Sequence, residues 1–119
     1  MTDNKIKELV KLAYKTLDSK KASDISVLDI HELSVIADYF IVASADNLRQ
    51  TVAICDELEN KLGKAGFECR QVEGRSSANW ILMDYNDIIV HIFSREDRLF
   101  YDLERIWRDG KVIENAEEL

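Results

Sequence analysis

Hydrophobic residues recur at helical spacing in two segments of the chain. The second segment runs from Leu48 to about residue 65 and stops before Gly66, which suits a left-handed C-terminal cap. Asp46 precedes that segment and is the predicted N-cap. Each apolar stripe predicts an amphipathic helix that packs on a larger layer. The stripe of the first helix, flanked by lysines, is Ile6, Leu9, Val10, Ala13 and Leu17.

Elsewhere the apolar pattern is typical of β-strands. Alternating residues over 24–30 predict a short half-buried strand, and the β-branched and aromatic run 39–43 predicts a buried one. Residues 67–73 alternate between apolar and polar side chains, which predicts a strand with one wet face or an edge strand. Together with the two helices, the predicted order up to residue 73 is helix, strand, strand, helix, strand.

The segments 80–85 and 88–93 are two further strand candidates, separated by Asn86-Asp87. This two-residue connection predicts an antiparallel hairpin with a type I′ turn. Ser94 is a predicted cap for a final helix that ends at Gly110. The buried stripe of that helix is Phe100, Leu103, Ile106 and Trp107.

Together these elements predict one α/β domain over residues 1–119, with a mixed sheet of about five strands flanked by helices. The chain has 119 residues, which leaves no room for a second folded unit. Its longest uninterrupted apolar stretch is far shorter than the roughly 20 residues of a membrane span. No targeting segment is evident at the N-terminus, so we expect a cytoplasmic protein.

Charge is divided unevenly along the chain. The net charge is −7, although residues 1–21 contribute +3. An acidic body of this kind argues against direct DNA binding and fits a basic protein partner better. Charge alone also permits the simpler interpretation that it only keeps the domain soluble.

The sequence contains no set of residues that indicates catalysis. The turn over residues 43–46 lacks glycine and carries an acid where a phosphate would lie, and no predicted strand has Asp-x-Asp spacing. Cys55 and Cys69 lack metal-binding spacing and are predicted to be packed side chains. His91 is predicted to be a hydrogen-bonded core histidine. We therefore expect no cofactor and no metal.

The first strand of the hairpin has two largely apolar faces. Alternation places Trp80, Leu82 and Asp84 on one face, with Ile81 and its alternate neighbours Met83 and Tyr85 on the other. Helices covering both faces would bury all of these apolar side chains. If helices cover only one face, the other presents an aromatic anchor and an acid, as protein-binding hot spots do.

Two long motifs, with a third segment, resemble the ribosomal silencing factor family, also called the Iojap family. The resemblance covers residues from about 5 to 110. Ala45 and Asn86 stand where many members have glycine, and Asn86 still permits a positive φ. The matching segments are DYFIVAS over 38–44 with NLRQ over 47–50, WILMDYNDIIVHIF over 80–93, and YDLERIW over 101–107.

This resemblance implies a non-enzymatic factor that binds the large ribosomal subunit at its fourteenth large-subunit protein. It would thereby block joining of the small subunit and reduce translation when nutrients are scarce. The implied fold is similar to that of nucleotidyltransferases without their catalytic carboxylates, and a homodimer is implied off the ribosome. A nucleotidyltransferase, degenerate or active, and a ribosome-independent dimeric adaptor remain as alternatives. The implied partner-binding residues are Trp80, Leu82, Asp84, Tyr85, Asn79 and Glu73.

Overall fold

A computed structural model describes residues 4–30, 37–94 and 111–113. The predicted final helix and its buried stripe lie outside these residues. Within them, no helix is long and apolar enough to cross a membrane. The elements, in chain order, are α1 (Asn4–Ser19), β1 (Ser23–Asp29), β2 (Tyr39–Ala45), α2 (Leu48–Lys64), β3 (Gln71–Glu73), β4 (Trp80–Asp84), β5 (Ile88–Ser94) and β6 (Lys111–Ile113).

The strands form one mixed sheet in the order β3-β4-β5-β2-β1-β6. Among the six strands described, β2 and β5 are the one parallel pair, and the other neighbouring pairs are antiparallel. The predicted α/β fold is confirmed, and β3 lies at the sheet edge as expected. Its strand is shorter than the predicted segment 67–73, and β6 adds a sixth strand that the sequence did not predict. Three residues are too few to show a periodic pattern.

The central parallel pair explains why its sequence is so uniformly apolar. Every residue of β2 and of β5 is buried. Strands covered on both faces carry continuous hydrophobic runs, because neither face meets water. These two strands therefore separate two packed layers of side chains.

The first face of the sheet packs against α1 and α2. Leu9, Leu17, Leu58 and Leu62 from these helices meet Ile41 and other side chains of the strands in one large cluster. The second face carries a smaller cluster, in which Trp80 and Leu82 are only partly buried. The buried members of this second cluster are Leu28, Ile30, Ala37, Phe40, Val42, Ile89 and Phe93.

The predicted extent of α2 is confirmed, but its predicted cap is wrong by one residue. Asn47 is the N-cap: its backbone is extended at φ −155°, and its side chain accepts a hydrogen bond from the Gln50 N–H at 2.9 Å. Asp46 lies one position too early to reach that N–H. At the other end, Gly66 has φ +94°, the left-handed conformation expected after the helix.

The hairpin between β4 and β5 is confirmed, with a different turn from the one predicted. A type I′ turn needs positive φ at both central residues, whereas only Asn86, at φ +70°, has it. The Asp87 N–H donates to the Tyr85 carbonyl oxygen at 2.9 Å. The Asp84 carboxylate accepts from the Asn86 N–H at 2.8 Å and so holds the turn from the preceding strand.

Candidate partner-binding surface

The alternation along β4 divides its side chains between the two faces of the sheet. Ile81 and Met83 are fully buried in the cluster beneath the helices. Trp80 and Leu82 point to the opposite face and are half-buried against the second cluster. Burial on both faces, one of the two possibilities open from the sequence, therefore does not hold at these two positions. The remaining possibility is a partly exposed apolar surface.

Strand pairing adds an acidic rim to this surface. Glu73 lies directly across from Leu82 in the β3–β4 pair, so the two side chains share a face. Asp84 lies on the same face by alternation, two residues after Leu82. We call Trp80, Leu82, Asp84 and Glu73 the hairpin patch.

The two carboxylates of the hairpin patch have different surroundings. Glu73 is exposed and accepts a hydrogen bond from Gln71 Nε2 at 2.7 Å. Asp84 is half-buried, and besides holding the turn it lies 3.9 Å from Nη1 of the largely exposed Arg70. Glu73 is therefore the more accessible of the two charges to a basic partner.

Trp80 is fixed by aromatic neighbours on β5. Its indole stacks on Phe93, with ring centroids 5.1 Å apart and an angle of 23° between planes. Its Nε1–H donates to Nδ1 of His91 at 3.0 Å. The Phe40 ring packs edge-to-face with the His91 ring, and the two ring centroids are 4.9 Å apart. The indole thus lies on a rigid base, with its polar atom turned toward the protein.

His91 is neutral at ordinary pH. Burial lowers the pKa of its imidazole to about 4, because the protein interior solvates the charged form poorly. With Nδ1 accepting from Trp80, the ring proton is on Nε2, which is buried and has no hydrogen-bond partner among the described residues. The predicted hydrogen-bonded core histidine is confirmed.

The loop before Trp80 is held tightly against β4. Gly74 has φ +82°, and a Cβ at this position would overlap the Trp80 carbonyl oxygen. The Ala78 N–H and the Ser77 hydroxyl both donate to the Gly74 carbonyl oxygen. Asn79 is exposed next to the hairpin patch, and its carbonyl oxygen accepts from a β5 N–H. These contacts hold the loop that leads into Asn79 and Trp80 in the conformation observed.

Tyr85 lies on the other side of the sheet from the hairpin patch. It is only 4% exposed and belongs to the cluster beneath the helices. Burial raises the pKa of its phenol. The side chain of Tyr85 lines a cleft of about 420 Å³, together with Lys5, Phe67 and Asn86. Of the six predicted partner-binding residues, four therefore share one face of the sheet, Asn79 lies in the loop that precedes β4, and Tyr85 lies on the opposite face.

The remaining reactive side chains do not assemble into a reaction centre in the described residues. Cys55 is buried and Cys69 half-buried, and both are free thiols. Burial raises the pKa of Cys55 to about 11, so its thiol stays protonated at neutral pH. No group of three or more histidines, cysteines or acids in this part of the chain could hold a metal ion.

Sequence reasoning missed the support that β5 provides to Trp80. The signal was present in the two-residue connection at Asn86-Asp87. A two-residue turn pairs Trp80 with Phe93 and Leu82 with His91, as observed. The hydrogen bond between Trp80 and His91 runs diagonally from one pair to the other. A diagonal side-chain contact of this kind cannot be read from the alternation of residues along the strands.

A family model described as "Ribosomal silencing factor during starvation" matches residues 3–119. The chain is 36% identical over 107 residues to the ribosomal silencing factor of Halalkalibacterium halodurans, covering 90% of this chain and 92% of that protein. It belongs to the ribosomal silencing factor family. The resemblance seen in the sequence is therefore confirmed.

Two further proteins are similar to this chain, one in structure and one in sequence. The crystal structure of a protein from Chromobacterium violaceum superimposes with a TM-score of 0.82 at 36% identity, covering 84% of this chain and 83% of that one. A mouse protein named for mitochondrial assembly of the ribosomal large subunit is 28% identical, over 76% of this chain and 41% of its own length. A segment similar in sequence to this chain therefore makes up about two fifths of that longer protein.

Proposed function

We propose that this ribosomal silencing factor binds the large ribosomal subunit through the hairpin patch and sterically blocks joining of the small subunit. The partner on the large subunit is its fourteenth protein, and the result is reduced translation when nutrients are scarce. The observation that carries the proposal is the half-buried pair Trp80 and Leu82 on the sheet face opposite the helices. The name of the matching family supports a ribosomal partner, and the name of the mouse relative supports the large subunit.

The composition of the hairpin patch fits a basic protein surface. Trp80 and Leu82 supply the apolar anchor, and aromatic anchors of this kind contribute most of the binding energy at protein interfaces. Glu73 and Asp84 lie at the edge of the anchor, where carboxylates meet lysines or arginines and steer the partner into register. Asn79 contributes a neutral polar group beside them.

Tyr85 has an indirect part in this proposal. Its side chain is buried beneath the helices, so a partner at the hairpin patch does not reach it. It packs under β4 and supports the strand that carries Trp80 and Leu82. We expect substitutions at Tyr85 to act through stability.

The experiment that tests the proposal is sedimentation of the purified protein with large subunits, small subunits and intact ribosomes. Small subunits are then added to large subunits that already carry the protein. Co-sedimentation with large subunits together with loss of reassociation supports steric silencing. Binding without loss of reassociation contradicts the blocking mechanism and indicates a role in subunit assembly. Absence of binding contradicts the proposal as a whole.

A variant pair localises the contact. Trp80→Ala is expected to weaken large-subunit binding by about 2 kcal/mol or more, as loss of an interface anchor does. Leu48→Ala is the matched control, because Leu48 is a large hydrophobic residue that is 47% exposed on α2, and α2 packs on the opposite face of the sheet from the hairpin patch. Circular dichroism confirms that both variants are folded. If Trp80→Ala bound large subunits as tightly as Leu48→Ala, Trp80 would not be part of the interface.

The homodimer proposed off the ribosome uses the same apolar surface. Covering Trp80 and Leu82 with a second copy removes them from water when no ribosome is present. Analytical ultracentrifugation measures the oligomeric state, and Leu82→Ala is expected to favour the monomer. A monomeric wild-type protein at micromolar concentration would contradict this part of the proposal.

The nucleotidyltransferase alternative makes a different prediction. An enzyme of that class binds a nucleoside triphosphate with magnesium, and a ligand that binds the folded state raises its melting temperature. We expect no shift in melting temperature with any of the four nucleoside triphosphates. A shift would favour the enzyme over the silencing factor.

A further inference from the structure

The side chain beneath Trp80 is a histidine at a position where stability alone favours an apolar residue. His91 is buried on a central strand, and its Nε2–H finds no acceptor among the described residues. An unsatisfied buried donor destabilises the folded state, whereas phenylalanine or leucine would fill the same space without one. Packing therefore does not explain the imidazole.

The imidazole has one contact that an apolar side chain cannot make. His91 Nδ1 accepts the indole N–H of Trp80 at 3.0 Å. Burial keeps the ring neutral by lowering its pKa to about 4, which leaves the Nδ1 lone pair available as an acceptor. Every other interaction of the ring that the structure shows, with Phe40, Phe93 and the indole plane, is available to an aromatic hydrocarbon.

We propose that His91 is a positioning residue: its Nδ1 holds the Trp80 indole in the orientation in which the partner protein meets it. This inference rests on the proposed function of the hairpin patch. Neutral His91 turns the polar edge of the indole inward, so the surface offered to the partner is apolar. Ordering the indole before binding removes an entropic cost that the complex would otherwise bear.

The geometry around the two rings supports this role. Phe40 meets the His91 ring edge-on at 4.9 Å, and the plane of Phe93 is within 12° of the imidazole plane. Phe93 also stacks on the indole itself at 5.1 Å. His91 is therefore fixed before it accepts the hydrogen bond. A fixed acceptor therefore favours one orientation of the indole, the one in which its N–H points at Nδ1.

Two substitutions of His91 separate positioning from packing. His91→Phe keeps an aromatic ring of similar size and removes the acceptor. His91→Asn places its Oδ1 close to the position of Nδ1 and so keeps the acceptor, although it loses apolar volume and buries an amide. A packing role predicts that the phenylalanine variant performs better in every assay. A positioning role predicts opposite orders for stability and for binding.

The experiment compares wild type and both variants in three measurements. Urea unfolding is expected to show that His91→Phe is at least as stable as His91→Asn. Binding to isolated large subunits is expected to weaken about five-fold in His91→Phe, the loss of one ordinary hydrogen bond, and less than about two-fold in His91→Asn. Hydrogen exchange of the Trp80 indole N–H, assigned by its absence in Trp80→Phe, is expected to be slow in wild type and His91→Asn and fast in His91→Phe.

The outcomes are distinguishable. If wild type binds large subunits and His91→Phe binds equally well, His91 does not position the anchor. If binding follows unfolding stability in both variants, the role of His91 is structural and the inference is overturned. If wild type itself does not bind, the proposed function fails and this inference fails with it. Slow indole exchange in wild type would in that case report a packing contact only.

Discussion

The two faces of the sheet are made by the same strands, yet they bury their side chains to different degrees. On the helix side, Ile81 and Met83 are completely buried under α1 and α2. On the other side, Trp80 and Leu82 remain half-buried, and Nε2 of the His91 beneath them has no hydrogen-bond partner in the described part of the chain. Neighbouring residues of one strand thus serve different purposes: the helix side stabilises the fold, and the other side presents a surface.

The largest expected difference between the faces is in stability. Ile81→Ala is expected to lower the free energy of unfolding by about 4 kcal/mol, because it leaves a cavity in a closed core. Leu82→Ala, one residue later, is expected to cost about 1.5 kcal/mol, since part of its side chain already meets water. Urea unfolding of both variants measures the contrast. Equal losses would show that the second face is as closed as the first.

Acidification is expected to weaken the face that contains His91. In the unfolded chain the imidazole binds a proton below about pH 6.5, whereas burial in the folded chain lowers its pKa to about 4. The unfolded state therefore binds more protons between these values, so His91 lowers stability as the pH falls from about 6.5 to 4. The contribution reaches about 3 kcal/mol.

Urea unfolding at several pH values, with His91→Phe as the comparison, measures this contribution. Carboxylates titrate in both proteins, so the difference between the two curves isolates the imidazole. We expect the gap in unfolding free energy to widen toward pH 4, in favour of the variant. Parallel curves would show that His91 is protonated as readily in the folded chain as in the unfolded one.

Two glycines test whether the loop that carries Trp80 is held rigidly. Gly74→Ala is expected to cost about 2 kcal/mol or more, because Gly74 combines a positive φ with close approach to the Trp80 carbonyl. Gly66→Ala, the control, has a positive φ and open space around it, so only about 1 kcal/mol is expected. Large-subunit binding should fall only in Gly74→Ala. A loss of binding in both would make the effect global.

The smallest expected effect is at the cap of α2. Asn47→Ala is expected to cost about 1 kcal/mol, since it removes the acceptor for the Gln50 N–H. Asp46→Ala is expected to cost less, because Asp46 is not the N-cap. Thermal unfolding ranks the two variants, and binding should be unchanged in both, since the cap belongs to the helix side. The reverse ranking would restore Asp46 as the cap.

Local patterns predicted well wherever neighbours in sequence decide the structure. The stripes of α1 and α2, the left-handed Gly66 and the hairpin around Asn86 all depend on interactions within a few residues. The error at the N-cap of α2 is also local. Asp46 was predicted and Asn47 is observed, because both residue types are good caps and only the geometry of the turn selects one.

The site was predicted less completely because it depends on which face the helices cover. Alternation separates Trp80 from Ile81 but does not say which of them faces water. The resemblance to the family pointed to the exposed face and also to Tyr85, whose burial follows from its place on the helix side. A family motif identifies a residue as important, but it does not say whether that residue contacts a partner or supports the strand.

The sequence by itself determined the fold class, the family and the alternation of the hairpin, because these depend on periodicity and on motifs that are continuous in the chain. Only the tertiary structure decided that helices cover the Ile81 side, that Glu73 lies beside Leu82, and that His91 accepts the indole N–H of Trp80. These contacts join residues from separate strands and helices. Their partners are selected by packing and by the exclusion of water, which no local pattern in the chain encodes.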